Sequence, residues 1–283
     1  MRHERSHTKV IATLGPASTK KEVLRKMYIE GIDVCRLNFS HGSHEDHLKS
    51  IKLIRELNDE MDVHVAILAD LQGPKLRIGE VEEDTFLEEG KSLEMVNKKC
   101  MGNAQRVYMS YQHLPLDVKM GEVILIDDGK IKLEVTGTNK KDKVTTKILF
   151  GGPLSSKKGV NLPNTKISLP SLTEKDIADA EFALKHGVDW IALSFVRSVN
   201  DILDLKKLMK KNKKTARIIA KIEKPEALDE IDEIVDISDG IMVARGDLGV
   251  EVDFDQVPMI QKSIVQKWIN QSTPVIIATQ MME

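Results

Sequence analysis

Lys221, Glu223 and Asp247 have the types and spacing to do chemistry together, because each stands where an apolar run ends, in AKIEKPE and VARGDLG. Two carboxylates at successive chain reversals suffice for one Mg2+, which takes oxygen ligands and keeps water or substrate oxygens in its other positions. In KIE, Lys221 and Glu223 share strand parity and point to one side, while Ile222 points to the other. A lysine buried beside a metal is costly unless it neutralises an anion. The competing reading makes each carboxylate a surface ion pair or helix cap and Lys221 a rim residue.

The neighbouring polar residues favour an anionic substrate. Gly246 lets the backbone approach closely, and its N–H with that of Asp247 can begin an anion-binding turn suited to a carboxylate; alternatively Gly246 and Gly249 only terminate a strand. Arg36, Arg77 and Arg245 stand at three strand ends and suit bidentate clamping of phosphate or carboxylate. Asn38, Ser40, His41, Asp70 and Thr279 complete the set, in RLNFSHG, LADLQGPKLR and ATQ. His41, His44 and His47 imitate a metal site but lack a Cys or carboxylate partner at zinc-like spacing, so His44 and His47 are expected on a solvated helix face. The six lysines of KKLMKKNKK lie at a helix C-terminus without interleaved aromatics, which reads as a solvated end.

Seven apolar segments must position these residues: TKVIATLG, IDVCRLNF, VHVAILAD, VDWIALSF, ARIIAKI, DGIMVARG and PVIIATQ. Amphipathic helical segments separate most of them, and the Ser171 to Glu174 spacing predicts a capping box before one. Strands alternating with helices pair in parallel through crossovers. Residues 74–166 break the rhythm with alternating runs such as KSLEMV and KVTTKILF, punctuated by DDG and GGP, and without a convincing helix. They predict a small β-rich domain inserted between residues 1–73 and 167–283. A (β/α)8 barrel needs eight strands and about 250 residues. With seven strands, the α/β domain is read as a TIM-type barrel truncated one strand early. An open doubly wound sheet tolerates seven strands, but no GxGxxG follows the first one and no GxxxxGK[ST] occurs anywhere. In a barrel, working side chains sit at the C-terminal strand ends, where the polar residues above fall.

Composition sets outer bounds. With 41% hydrophobic residues the chain can bury a sizeable core, and 42 Lys+Arg against 44 Asp+Glu give a net charge of -2, so no global field favours nucleic acid or an anionic membrane. Any anion must be recognised locally. Only Cys35 and Cys100 are present, which suits a reducing compartment, the cytoplasm by default. MRHERSH lacks an apolar signal core, and no run approaches the ~18 apolar residues of a membrane span.

TKVIATLGPAS, CRLNFSHG, the KKGVNLP of residues 157–163, AKIE, DGIMVARGDLGVE and PVIIATQM resemble, in this order, the motif set of pyruvate kinases. The resemblance covers essentially the whole chain. It implies a (β/α)8 A domain, a B domain that closes as a small β-barrel lid, a C-terminal domain that this chain lacks, and transfer of the phosphoryl group of phosphoenolpyruvate to ADP. It makes Lys221 the cation that neutralises the phosphoryl group, and Glu223 and Asp247 the ligands of Mg2+ or Mn2+. Gly246, Asp247 and Thr279 would hold the substrate carboxylate, with Thr279 near the enolate carbon. Arg36 would contact phosphate, and Asn38, His41, Arg77, Asp127 and Lys158 the nucleotide. The full-length enzyme is expected to be a cytoplasmic homotetramer.

Two departures from the family pattern matter. Many pyruvate kinases bind K+ through positions matching Asn38, Ser40, Asp70 and the Leu71 carbonyl and carry TKGPE, where this chain has LQGPK. Lys75 replaces a glutamate, a change of two charge units that would repel a monovalent cation, so K+ is expected not to be required, with the Lys75 ammonium in its place; a solvated hinge lysine is the plainer reading. The ending at Glu283 leaves out the eighth strand, so this polypeptide is expected to be a poorly stable and weakly active fragment. A Mg2+-dependent aldolase or lyase acting on pyruvate-like acids would share the barrel and metal pair but leaves KKGVNLP and the insert unexplained. A fragment that only binds phosphoenolpyruvate is the non-catalytic alternative.

Overall fold

The computed structural model describes residues 7–270 and 273–278. Thr279 lies outside the described residues. A seven-stranded parallel sheet holds β1 (Ile11–Thr13), β2 (Val34–Asn38), β3 (Ala66–Asp70), β4 (Trp190–Leu193), β5 (Arg217–Ile222), β6 (Gly240–Ala244) and β7 (Val275–Ala278), in that spatial order. Each strand pairs with the next in sequence, which is the winding of a barrel; a doubly wound sheet reverses its order at a switch point. Among the described residues no pairing joins β1 to β7.

Alternation sorts the side chains of these strands. Ile218, Ala220 and Ile222 join Ile67, Ile191 and Val243 in the core beneath the helices, whereas Leu68, Ala192, Ile219 and Met242 form a separate layer on the concave face. Residues two further along the same parity, Asp70, Ser194, Lys221 and Ala244, therefore form the next concave layer, at the C-terminal strand ends.

The helices of the sheet are α1 (Lys21–Ile29), α2 (His44–Met61), α3 (Glu174–Lys185), α4 (Val199–Asn212), α5 (Ile231–Ile237), α6 (Arg245–Glu251) and α7 (Val257–Asn270). Element boundaries differ from the sequence pattern at three places. The capping box before α3 is Thr173 with Asp176, because the helix starts at Glu174 and Ser171 lies outside its cap. KPEALDEIDEIV is not one helix: Glu226–Asp229 and α5 are separated at Glu230, whose φ of -111° and ψ of 23° leave the α region. The strand read as DGIMVARG stops at Ala244, and Arg245 and Gly246 already belong to α6.

The insert has its own core, built from residues between Leu76 and Ile167 around Leu93, Met95, Ile124, Leu133 and Val144. Its six-stranded sheet is antiparallel except where Ser92–Val96 meets Arg106–Tyr108. DDG makes the hairpin between Val123–Ile126 and Ile131–Thr138, with Asp127, Asp128 and Gly129 at φ of 55°, 55° and 88°. One helical turn, Leu114–Asp117, interrupts the β pattern; Pro115 at its start has a preset φ and needs no N–H partner there. No helix among the described residues is long and apolar enough to cross a membrane.

Of the two histidines of α2, His44 is exposed, as expected of a solvated face, and His47 is not. His47 is buried and stacks on Phe39 with ring centroids 4.1 Å apart, and its Nε2 contacts the His41 carbonyl at 3.0 Å. His44 Nε2 lies 2.6 Å from Asp179 Oδ1, with its ring on Phe182. Phe39, just after β2, covers the His47 ring, and Phe182 of α3 stacks on the exposed His44 ring, which sequence spacing could not show.

Burial is the main influence on His47 and lowers its pKa below the ordinary 6.5, while the His41 carbonyl and Asp179 oppose the shift, His44 adds to it and Asp46 opposes it. The unfolded chain then binds more protons in this window, so stability is lost as pH falls below about 6.5. Urea titrations between pH 5 and 8 should show a slope of at most about 1.4 kcal/mol per pH unit from this group, removed in His47→Gln.

Candidate active site

The concave layer at the strand ends is almost wholly polar. Lys221 is 9% exposed and Glu223 and Asp70 are each 1% exposed. Lys221 Nζ lies 2.9 Å from Glu223 Oε1 and 3.3 Å from Asp70 Oδ1, and donates to Ser194 Oγ at 2.8 Å. Ser194 in turn donates to the Leu71 carbonyl at 2.6 Å. Arg36 grips Asp70 Oδ2 through both Nε and Nη2 at 2.6 Å and donates from Nη1 to Thr13 Oγ1 at 2.8 Å. Three strand ends, those of β2, β3 and β5, thus supply one connected charge cluster of two cations and two carboxylates, to which Thr13 of β1 and Ser194 after β4 are hydrogen-bonded.

Two carboxylates keep Lys221 charged. Burial alone would lower its pKa, but the pull of Glu223 and then of Asp70 raises it well above the ordinary lysine value. Glu223 is raised, mainly by burial, then by repulsion from Asp247; Lys221 and the Phe195 N–H, which donates to Oε2 at 2.8 Å, oppose that rise. With two acids facing one ammonium, Lys221 stays charged.

Phe195 adopts φ of 54°, a left-handed conformation costly for a bulky side chain and concentrated at functional sites. That turn aims its N–H at Glu223. Gly73, at φ of 69°, packs directly against Phe195 and donates its N–H to the buried Asp176 at 2.9 Å.

Asp247 lies in the first turn of α6, where backbone N–H groups lack intrahelical partners, and Gly246 precedes it. Among the described residues the Asp247 side chain makes no hydrogen bond or ion pair, yet it faces Glu223 closely enough to raise its pKa. Two like-charged oxygen donors, one without a partner, fit a hard divalent cation; no cluster of three or more His, Cys, Asp or Glu suited to a metal occurs among the described residues. The remaining positions would be left to water and substrate oxygens. Arg245 turns its Nε toward the Ala278 carbonyl at 3.4 Å.

The residues assigned to the nucleotide fall into two groups. Asn38 ends β2 and His41 lies in the loop after it, where Asn38 Oδ1 accepts from the Ser40 N–H at 3.0 Å. Arg77, Asp127 and Lys158 belong to the insert and are brought together there: Lys158 Nζ lies 3.0 Å from Asp127 Oδ1, and Arg77 donates to the Lys157 carbonyl at 2.9 Å. Lys130 also pairs with Asp127, at 3.0 Å, and both lysines hold its pKa below the ordinary carboxylate value.

Lys75 is exposed and makes no ion pair with Asp70 in this structure; Asp70 is met by Arg36 and Lys221. Lys75 instead lines a cleft that Gly159 and Asn161 of the insert share with Phe195, Asp247 and Glu251 of the barrel. Sequence reasoning missed Thr13, Ser194, the Phe195 N–H and the Lys224–Glu251 pair. Ser194 was legible in principle, as the polar residue ending the apolar run of β4; the backbone donor was not.

A family model described as "Pyruvate kinase, barrel domain" matches residues 5–283. The pyruvate kinase of Corynebacterium efficiens is 45% identical over 277 residues, covering 98% of this chain and 58% of that protein. That of Staphylococcus epidermidis is 42% identical over 278 residues, covering 98% of this chain and 48% of its relative. The solved structure of a pyruvate kinase from Cryptosporidium parvum superposes with a TM-score of 0.92 at 36% identity, over 97% of this chain and 58% of that one. The chain therefore spans about half the length of the curated relatives it matches.

Proposed function

The chain belongs to the pyruvate kinase family, and from that premise we propose that it carries the site that moves the phosphoryl group of phosphoenolpyruvate to ADP, giving pyruvate and ATP. The observation that carries this reading is the buried Lys221 ammonium held between Glu223 and Asp70, with Asp247, whose side chain has no partner among the described residues, facing Glu223. Phosphoryl transfer runs through a loose transition state whose charge needs positioned cations more than covalent chemistry. Lys221 meets that charge from the protein side, and Arg36 contacts the phosphate. Glu223 and Asp247 would hold Mg2+ or Mn2+, which when bound neutralises phosphate oxygens.

The N–H groups of Gly246 and Asp247, with Thr279, hold the substrate carboxylate, and the enolate left by phosphoryl loss takes its proton on carbon near Thr279. Asn38, His41, Arg77, Asp127 and Lys158 bind the nucleotide. Residues 74–166 act as a lid on residues 1–73 and 167–283, turning about Gly73 and Pro74, so that closure excludes water from the transferring group. An aldolase or lyase would need neither Lys158 nor a lid. The full-length protein is read as a cytoplasmic homotetramer.

The Lys75 ammonium takes the place of the monovalent cation otherwise bound at Asn38, Ser40, Asp70 and Leu71, which requires it to swing inward from its exposed position. The test is ADP-dependent pyruvate formation by the intact full-length enzyme, with Mg2+ present and K+ replaced by tetramethylammonium. Turnover should be unchanged by the replacement. A loss of tenfold or more, about 1.4 kcal/mol in barrier, would overturn the role of Lys75, and absence of ADP-dependent pyruvate in either salt would overturn the function.

A further inference from the structure

Lys224 and Glu251 have no part in the chemistry above, yet they form an ion pair of 2.8 Å with side chains 6% and 1% exposed. Lys224 follows Glu223 at the end of β5, and Glu251 closes α6 after β6. The cover over them comes from the insert. Asn161 Nδ2 donates to Glu251 Oε1 at 2.8 Å, and Lys224 Nζ donates to the Leu162 carbonyl at 3.5 Å. Asn161 ends the strand Val160–Asn161, which pairs with Val123–Ile126 and directly follows the Lys158 and Gly159 of the nucleotide-facing run.

A buried ion pair adds little net stability, because desolvation offsets the attraction; its best-attested use is to specify register. Here each ion satisfies a group of the insert at only one position of that strand. If the insert swings away, Glu251 loses the Asn161 donor and both charges return to water.

We propose that the Lys224–Glu251 pair is the landing point of the lid, and that Asn161 is the positioning residue that reads it. The closed register so defined sets the height of Lys158 and Asp127 above the barrel mouth. The catalytic consequence rests on the phosphoryl-transfer reading; the register itself does not, and can be read without turnover.

The experiment compares Asn161→Asp, which puts a carboxylate against Glu251, with Asn161→Ala, in the wild-type background and in Lys224→Met/Glu251→Met. Hydrogen–deuterium exchange is followed in segments 158–162 and 245–251, with the KM values for ADP and phosphoenolpyruvate. In the wild-type background Asn161→Asp should speed exchange in both segments and raise the KM for ADP by about tenfold or more, the scale of one lost charge-assisted hydrogen bond, with Asn161→Ala between it and wild type. The KM for phosphoenolpyruvate should stay within about twofold. In the methionine background Asn161→Asp should behave as Asn161 does, since no carboxylate remains to repel it. Wild-type exchange in Asn161→Asp, persistence of its effect without the ion pair, or loss of protection in the lid strands Ser92–Val96 and Lys143–Phe150 would each overturn the proposal, the last by showing an unfolded lid and not a displaced one. Should the protein lack turnover altogether, the exchange arm still decides.

Discussion

Lys221→Met should lower ADP-dependent pyruvate formation by about 10³–10⁵-fold, the range found when a cation facing a transferring phosphoryl group is removed. Stability should fall as well. Glu223 and Asp70 are buried around Nζ, and removing one partner of a buried pair costs roughly 3–5 kcal/mol because the partner charge stays behind. Adding Glu223→Gln to that variant removes one stranded charge, so it should restore part of the melting temperature and none of the activity. Steady-state assays and thermal melts on both variants check this. Activity of Lys221→Met within tenfold of wild type would remove Lys221 from the chemistry, and a melt unaffected by either substitution would contradict the buried cluster.

The second large effect is expected of Gly73→Ala. Gly73 has φ of 69°, and a Cβ there would lie 2.8 Å from Phe195 Cδ2, 3.0 Å from Ser194 Cβ and 3.2 Å from the Ser194 carbonyl oxygen. The backbone strain alone costs about 1–2 kcal/mol, and the contacts bring the total to roughly 2–4 kcal/mol. The displaced neighbours are the serine that accepts from Lys221 and the residue whose N–H holds Glu223. A larger fall in kcat than in either KM should therefore accompany the loss of stability. Gly90→Ala is the control: its φ is 81° and nothing lies within 4 Å of an added Cβ, so it should show the backbone cost with activity intact. If both variants behave alike in turnover, Gly73 is only a turn residue.

Much of this arrangement was legible because alternation is a local property. The KIE parity that places Lys221 and Glu223 on one side follows from a two-residue strand period, and the same period places Asp70 and Ser194 in their layer. The seven-strand count, the β-rich insert and the motif set were likewise readable in one dimension. Cap positions and helix breaks were less so, as Thr173, Glu230 and the early start of α6 show, because Ser171 and Thr173 both satisfy a cap pattern and only the path of the chain selects one. His47 failed for a related reason: its polarity suggested water, and Phe39, brought back onto it by the turn after β2, supplied an apolar face, while His44 stays exposed beside Phe182.

The amino-acid sequence by itself determined which residue types stand at the strand ends, which of them share a face, and to which family the chain is similar. Tertiary structure decided who meets whom: that Asp70 is gripped by Arg36 and approached by Lys221, that Phe195 turns its N–H on Glu223, that Lys75 lines the cleft apart from Asp70, and that Asn161 covers the Lys224–Glu251 pair. The division is physical. Side-chain direction along a strand is set within two residues, whereas an ion pair depends on the register of neighbouring strands and on where an inserted domain comes to rest.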